Sequence, residues 1–460
     1  MISINTELAA NDLLPAIGQL WELAKRKVMQ IEESMAADSK TPVFTVEGKY
    51  QPQGWTEWTQ GFQFGAQILL FDATNDPQSL QLGRQNTVEK MASHVTHFGV
   101  HDHGFNNVST YGNLLRLARS GRFDASETEI AFYEIALKAS GSVQANRWTQ
   151  TVDGDGFIYS FNGPHSLFCD TIRSLRSLSI GHTLEHATLS DNDQRICLLD
   201  RMLQHARSTA RYSVFYGTGR DQFDVPGRVA HESIFNTNDG RYRCPSTQQG
   251  YSPFSTWTRG LAWIMVGYPE QIEFLETVSD ESLEPYGGRK NIDEFMLKAA
   301  KASCDFFIEN TPTCGVPYWD TGAPKLQAID NYLSQPADPF NSFEPVDSSA
   351  AAIGCQGLLR LGRLLKKRGD EANGDRYWQA GLTTLNTLLQ EPYLSKGEDH
   401  EGLLLHSVYH QPRGWDHVPS GSTIPYGESC MWGDYHLLEA ALYVQRVARG
   451  ERYYTFFGDL

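Results

Sequence analysis

The sequence predicts an all-α fold in which six helical hairpins close into a ring, an (α/α)6 barrel. Three observations lead to this prediction. Apolar residues recur at spacings of three or four along most of the 460-residue chain, which is the period of amphipathic helices. No low-complexity linker divides the chain, so residues 1–460 are expected to form a single domain. Polar and aromatic clusters precede every second predicted helix.

Twelve helices are predicted from the apolar spacing. They cover about residues 12–36, 59–72, 77–94, 105–120, 125–140, 166–186, 194–211, 256–278, 291–310, 347–368, 373–391 and 428–449. Several end at a glycine that can take the left-handed C-cap conformation, as at Gly121, Gly369 and Gly450. Residues 213–255 are predicted to be a non-helical excursion over one end. A solenoid would also accommodate paired helices, but the sequence shows no fixed repeat period.

The six clusters are predicted to share one face of the ring. They lie at residues 55–58, 101–105, 165–170, 249–263, 345–349 and 428–434. If consecutive helices alternate in direction, every second helix points the same way and presents its N-terminus at the same mouth. Helix N-termini carry unpaired N–H groups and a positive dipole end, which favour anions. The mouth is therefore the predicted site for a carboxylated ligand.

Net charge, cysteine spacing and the terminal sequence bear on the partners and the location of the protein. The net charge of −16 argues against general binding to nucleic acid or to membrane surfaces. The seven cysteines lack CxxC spacing and are interpreted as reduced thiols. The N-terminus has no basic start followed by an apolar run, and no stretch of 18 apolar residues occurs, so a cytoplasmic location is expected. No feature indicates an oligomeric state.

The segment His101-Asp102-His103 is the first candidate for catalysis. Asp102 precedes a predicted helix and could simply be its N-cap. The two flanking imidazoles favour a functional interpretation instead. An H-x-H spacing can also bind metal, but no further ligands are suitably spaced nearby, so no metal or other cofactor is expected.

Asp170 is the second candidate carboxylate, and it lies in the otherwise apolar run 167–172. It could be a buried cap or a core acid with satisfied hydrogen bonds. Alternatively, desolvation in an apolar setting raises the pKa of a carboxyl group, which suits a proton donor near neutral pH. On that hypothesis Asp170 is the general acid and base, and Asp102 positions the substrate or tunes Asp170.

The cluster at residues 249–263 supplies candidate ligand contacts. Gln249 offers a side-chain amide and Arg259 a guanidinium, while Trp257 offers a platform for a sugar ring. Trp263 could equally be a core residue. His231, in the preceding excursion, is a candidate donor to a carboxylate or hydroxyl, or else a surface histidine. Trp58 from the first cluster is a further candidate contact.

Together these motifs resemble the unsaturated glucuronyl hydrolase family, whose members act on unsaturated uronyl oligosaccharides. The resemblance spans about residues 55–445 and is carried by residues 101–105, Asp170, His231 with Gln249 18 residues later, and residues 249–263, 316–320, 347–353 and 432–440. It implies an (α/α)6 barrel with Asp102 and Asp170 as catalytic residues. It also implies substrate contacts from His101, His231, Gln249, Trp257 and Trp263.

Two departures from the family bear on substrate preference. Leu261 stands where the family commonly has Gln, and Gln63 follows Gly61-Phe62 where it commonly has Trp. One polar and one aromatic contact are therefore absent or replaced.

The reaction implied by the resemblance is hydration of the C4=C5 double bond in a 4,5-unsaturated uronic acid at the non-reducing end of an oligosaccharide. Protonation at C4 makes C5 electrophilic, and water adds there under general-base catalysis. One alternative is a conventional exo-uronidase with Asp102 and Asp170 as acid and base or nucleophile. Another is a non-catalytic glycan-binding barrel. In each case the expected partner is an oligosaccharide.

Overall fold

The computed structural model of the protein describes residues 1–35, 40–54 and 57–458. Within these residues, twelve main helices overlap the twelve predicted ones. They are α1 (Leu14–Met35), α2 (Gln60–Thr74), α3 (Pro77–Lys90), α4 (His103–Asn107, Val108–Gly112 and Asn113–Arg119), α5 (Glu127–Asn146), α6 (Thr171–Ser174 and Arg176–Thr183), α7 (Leu198–Tyr212), α8 (Thr258–Leu275), α9 (Gly288–Asn310), α10 (Ser348–Lys367), α11 (Glu371–Leu388) and α12 (Met431–Ala448). Short helices Ala92–Val95 and Asp280–Leu283 lie between them.

The even-numbered helices form an inner ring and the odd-numbered helices an outer one. Every residue of α8 is buried, as expected for a helix enclosed on all sides. The outer helix α3, by contrast, buries only Ser79, Gly83, Asn86 and Thr87. None of the helices in the described part of the chain is long and apolar enough to cross a membrane.

Glycines set the spacing of the inner ring. At each of the six contacts between neighbouring inner helices, a Cβ added to a glycine would lie 3.2 Å or less from an atom of the next helix. The pairs are Gly61 with Asn106, Gly104 with Ser174, Gly267 with Ile172, Gly357 with Met265, Gly433 with Ser349, and Gly65 with Tyr435. These contacts run α2, α4, α6, α8, α10, α12 and back to α2, so the ring is closed.

Buried charges fill the ring below its mouth. Arg173 of α6 pairs with Glu270 of α8 at 3.1 Å and with Glu439 of α12 at 2.9 Å. Arg176, one turn further along α6, lies within 3.7 Å of both carboxylates. All four side chains are buried. Because an unpaired buried charge is costly, this network ties α6, α8 and α12 together.

Short strands accompany the helices in the described residues. They are β1 (Thr41–Val46), β2 (Lys49–Gln53), β3 (Trp148–Gln150), β4 (Gly156–Ile158), β5 (Ser166–Phe168), β6 (Ala187–Leu189), β7 (Arg195–Cys197), β8 (Glu232–Phe235) and β9 (Tyr242–Ser246). The prediction that a helix begins near residue 166 is wrong, because β5 pairs with β8 and α6 starts only at Thr171. The excursion at 213–255 contains β8 and β9, which complete a three-stranded sheet with β5.

Replacing Gly61 by Ala should destabilise the protein. The new Cβ would lie 2.4 Å from the backbone of Asn106, and such overpacking typically costs about 1–3 kcal/mol. The matched control is Gly18→Ala in α1, where an added Cβ has nothing within 4 Å. Because Ala is the better helix former, the control should gain up to about 1 kcal/mol. Denaturant unfolding of both variants measures the difference, and equal stabilities would contradict the proposed role of the glycine contacts.

Candidate active site

A cavity of about 350 Å³ opens at the mouth of the barrel, where the inner helices begin. Its lining comprises Glu57, Trp58, Val100, His101, Asp102, Phe105, Phe161, Phe168, Asp170, Gln248, Gln249, Trp257, Arg259, Trp263, Tyr409, His410, Arg413 and Trp415. Eight of the nine sequence-predicted site residues are therefore in its wall. The ninth, His231, packs behind Trp257 with ring centroids 4.6 Å apart. Trp55 and Thr56 of the first cluster lie outside the described residues.

Asp102 and Asp170 occupy N-cap positions, at α4 and α6, without acting as caps. Neither side chain accepts a hydrogen bond from its helix. Asp347, at the equivalent position of α10, does cap, because its Oδ1 accepts from the N–H of Ser349 at 3.0 Å. The capping interpretation therefore fits Asp347, while the two candidate carboxylates, each 8% exposed, are free to meet a ligand.

His101 lies between the two carboxylates. Its Nε2 is 3.4 Å from Asp170 Oδ1 and 3.7 Å from Asp102 Oδ1. The imidazole packs edge-on against Phe168, with ring centroids 5.4 Å apart, and stacks on Phe161, with ring centroids 6.2 Å apart. Nε2 of His101 lies within ion-pair distance of both carboxylates.

The pKa values of the three groups reflect this arrangement. Burial alone would lower the pKa of His101, but the charges of Asp102 and Asp170 raise it above 6.5. Burial raises the pKa of Asp102, with a further contribution from Asp170. The expectation of a raised pKa for Asp170 is wrong: burial does act in that direction, but interactions with His101 and the charge of His231 lower the pKa below 3.8.

His231 is held as a neutral hydrogen-bond donor. Its Nδ1 accepts the N–H of Gln248 at 3.1 Å, so the neutral ring carries its proton on Nε2. That Nε2 is buried and has no hydrogen-bond partner among the described residues. Burial lowers the pKa of His231 to about 4, which keeps the ring uncharged at neutral pH.

Arg259 fixes the orientation of Gln249. Its Nη2 donates to Gln249 Oε1 at 2.9 Å, which leaves the amide NH2 of Gln249 as the available donor. Nη1 pairs with Asp347 at 2.9 Å, and Nη2 also donates to the carbonyl of Tyr409 at 2.7 Å. The guanidinium lies over the rings of Trp257 and Trp432, at 4.6 and 4.9 Å. Arg259 therefore positions one predicted contact and ties α8 to the segment that carries Tyr409.

Aromatic rings form one wall of the cavity. Trp58 stacks on Trp432 with centroids 4.9 Å apart, and Phe105 lies 6.0 Å from Trp58 and 4.8 Å from Trp263. Trp257 and Trp263 are largely buried, so each offers only part of its ring to a ligand.

Residues 409–415 cover the cavity from the side of α12 and were not predicted as site residues. Tyr409, His410, Arg413 and Trp415 all line the wall, although they belong to the long stretch between α11 and α12, which has no predicted cluster at these positions. Its density of aromatic and basic residues was the available signal. Glu57 is a further lining carboxyl group, and burial together with the charge of Asp102 raises its pKa. Within residues 1–35, 40–54 and 57–458, no group of His, Cys, Asp and Glu side chains is arranged to hold a metal ion.

Comparisons with known proteins show similarity in sequence and fold over most of the chain. The chain is 27% identical to the unsaturated glucuronyl hydrolase of Bacillus sp. strain GL1, over 88% of this chain and 90% of that protein. It is 25% identical to the unsaturated chondroitin disaccharide hydrolase of Streptococcus pyogenes serotype M1, over 93% and 90%. The crystal structure of the Bacillus enzyme superposes with a TM-score of 0.70 at 22% identity, covering 95% of this chain and 99% of that one. No protein-family model matches the chain.

These similarities confirm the resemblance and the helical barrel predicted from the sequence. They do not test the individual site residues or the single-domain assignment, which stay predictions.

Histidine titration followed by NMR should separate His101 from His231. We expect His101 to remain protonated at pH 6, because the carboxylates of Asp102 and Asp170 raise its pKa, whereas His231 should be neutral there. Replacing Asp102 by Asn should lower the pKa of His101. The buried His205, whose pKa is lowered to about 3, provides an internal reference for a neutral ring. Loss of the His101 proton below pH 6 would contradict the proposed charge arrangement.

Proposed function

We propose that this protein is a glycoside hydrolase that removes the 4,5-unsaturated uronic acid residue at the non-reducing end of an oligosaccharide by hydration of its C4=C5 double bond. The observation that carries the proposal is the pair of buried, non-capping carboxylates on either side of His101, in a cavity walled by aromatic rings. Similarity to the unsaturated glucuronyl and unsaturated chondroitin disaccharide hydrolases supports the substrate class.

The proposed reaction begins with proton transfer from Asp170 to C4 of the unsaturated sugar. C5 becomes electrophilic, and the Asp170 carboxylate then takes a proton from the water that attacks C5. The hemiketal formed at C5 opens, and the glycosidic bond breaks. Asp102 holds the charge and orientation of His101 and contacts the substrate. This route needs one acid–base carboxyl group instead of the two required by ordinary glycosidases.

Substrate binding raises the pKa of Asp170, so that the carboxylate can accept the proton that it lacks in the free protein. An anionic uronate beside Asp170 disfavours the ionised carboxylate and therefore raises its pKa. The protonated Nε2 of His101, 3.4 Å from Asp170 Oδ1, is the nearest donor. His101 is thus the source of the proton. The negative charge of the bound substrate makes protonation of Asp170 depend on the presence of that substrate.

A neutral donor and apolar faces hold the substrate. The amide NH2 of Gln249 lies in the cavity wall and can donate to a carboxylate or hydroxyl, whereas the Nε2–H of His231 lies behind Trp257 and outside that wall. The exposed parts of Trp58 and Trp257 form apolar faces for the sugar ring. A cavity of this size suits one terminal sugar, which favours action from the chain end.

Replacing Asp170 by Asn should remove most turnover while leaving substrate affinity nearly unchanged. The amide has the same shape but cannot exchange a proton, and loss of an acid–base group costs roughly 10²–10⁴-fold in rate. Steady-state kinetics on unsaturated disaccharides, followed by loss of alkene absorbance, measures the effect. Glu57→Gln removes another carboxyl group of the same wall and should lose much less activity. Near-native turnover by folded Asp170→Asn protein would refute the assignment.

Isotope labelling should distinguish hydration from conventional hydrolysis. In heavy water, we expect deuterium at C4 of the released uronic acid, because C4 receives the catalytic proton. Labelled oxygen from water should enter at C5. A conventional uronidase would place the oxygen at C1 and leave C4 unlabelled, and it would also cleave saturated uronides rapidly. Mass spectrometry and NMR of the product identify the labelled positions.

A further inference from the structure

A second cavity opens beside the candidate active site. It has a volume of about 290 Å³, and its wall includes Tyr251, Trp319, Lys325, Phe343, Gln411 and Pro412. None of these side chains lines the first cavity. They come from the segments that precede α8, α10 and α12, so the second cavity lies at the same mouth of the barrel.

Two chain segments separate the two cavities. In the first, Gln249 faces the candidate active site and Tyr251 faces the second cavity. In the second, the 3-10 turn Gln411–Arg413 places Gln411 and Pro412 in the second cavity, while Arg413 lines the first. The two cavities are therefore lined by residues that are two positions apart in the first segment and adjacent in the second.

Exposed aromatic rings line the second cavity on a fixed backbone. Tyr251 is 51% exposed and Phe343 is 39% exposed, and neither ring contacts another aromatic ring among the described residues. The backbone N–H of Tyr251 is held by Asp320 at 2.8 Å, and that of Phe343 by Asn341 at 2.8 Å. Exposed rings contribute little burial to the stability of the free protein. On a fixed backbone, however, they offer an apolar surface on which a ligand can pack.

The rear of the cavity is polar and rigid. The buried carboxylate of Glu344 accepts the indole N–H of Trp319 at 2.8 Å and the backbone N–H of Lys325 at 2.8 Å. The Lys325 side chain forms no ion pair within the part of the chain that the structure describes. An apolar platform with an amide and a cation at its edge matches a sugar ring that carries hydroxyls or an acidic substituent.

We propose that this second cavity binds a sugar residue of the oligosaccharide beyond the linkage that is cleaved. The inference rests on the function proposed above and extends it, because it makes the enzyme select for chain length. Tyr251 and Phe343 stack on the distal ring, and Gln411 and Lys325 meet its polar substituents. A disaccharide is too short to use this cavity, whereas a longer oligosaccharide with the same unsaturated end gains the additional contact.

The test compares a disaccharide with a tetrasaccharide that has the same unsaturated end and the same first linkage. Wild-type protein should show the higher kcat/KM on the tetrasaccharide. Phe343→Ala and Tyr251→Ala should each lower kcat/KM for the tetrasaccharide by roughly 2- to 10-fold, mainly through KM, and leave the disaccharide value unchanged. Phe132→Ala is the matched control, since Phe132 is also 39% exposed but lies on the outer helix α5. It should change neither value.

The outcomes separate this inference from the proposed function. Turnover of both substrates with no chain-length preference, or equal effects of the variants on both, would overturn the second cavity as a sugar site and leave the proposed function standing. If the wild-type protein turned over neither the disaccharide nor the tetrasaccharide, the proposed function would be overturned, and this inference with it.

Discussion

The close approach of the six inner helices is the constraint on which the rest of the structure depends. Each neighbouring pair touches through a glycine, as Gly61 does with Asn106 and Gly104 with Ser174. Helices that approach so closely leave no room for large side chains at their contacts, so side chains project instead toward the barrel axis or toward the outer ring. The axis then becomes the one place where many inner residues meet, and its chemistry is decided by the order of residues along each inner helix.

That order places two kinds of group along the axis. A buried layer of charges, here called the floor, consists of Arg173, Arg176, Glu270 and Glu439, and the candidate catalytic groups lie above it at the mouth. Asp170 stands at the first turn of α6, and Arg173, three residues later, is already bound to Glu270 and Glu439 in the floor. The floor charges compensate one another, so they fix α6 without demanding a ligand. The carboxylate at the mouth has no guanidinium paired with it among the described residues, and His101 lies 3.4 Å from it. One short helix thus carries a structural ion network and a candidate catalytic acid within a single turn.

Much of this arrangement could be predicted from the sequence because it is local. Helical periodicity indicated all twelve helices, and the clusters before every second helix placed eight of nine candidate residues in one cavity. The two predictions that were wrong, the helix start near residue 166 and the raised pKa of Asp170, depend on tertiary contacts. Residues 166–168 are apolar enough for either structure, and only pairing with β8 makes them a strand. The direction of the Asp170 pKa follows from His101 and His231, which desolvation arguments along the chain cannot include.

The same contacts explain how a protein of net charge −16 can hold an anionic sugar. Arg259, the buried guanidinium at the cavity, is committed to Asp347 and Gln249, so it contributes order more than free charge. The other cations that line the cavity are His101, whose pKa is raised by Asp102 and Asp170, and the exposed Arg413, and oriented donors at the N-termini of the inner helices act beside them. Such donors act only at short range and in one direction. Contacts of this kind discriminate between ligands mainly by fit, as the proposed binding of one terminal sugar requires.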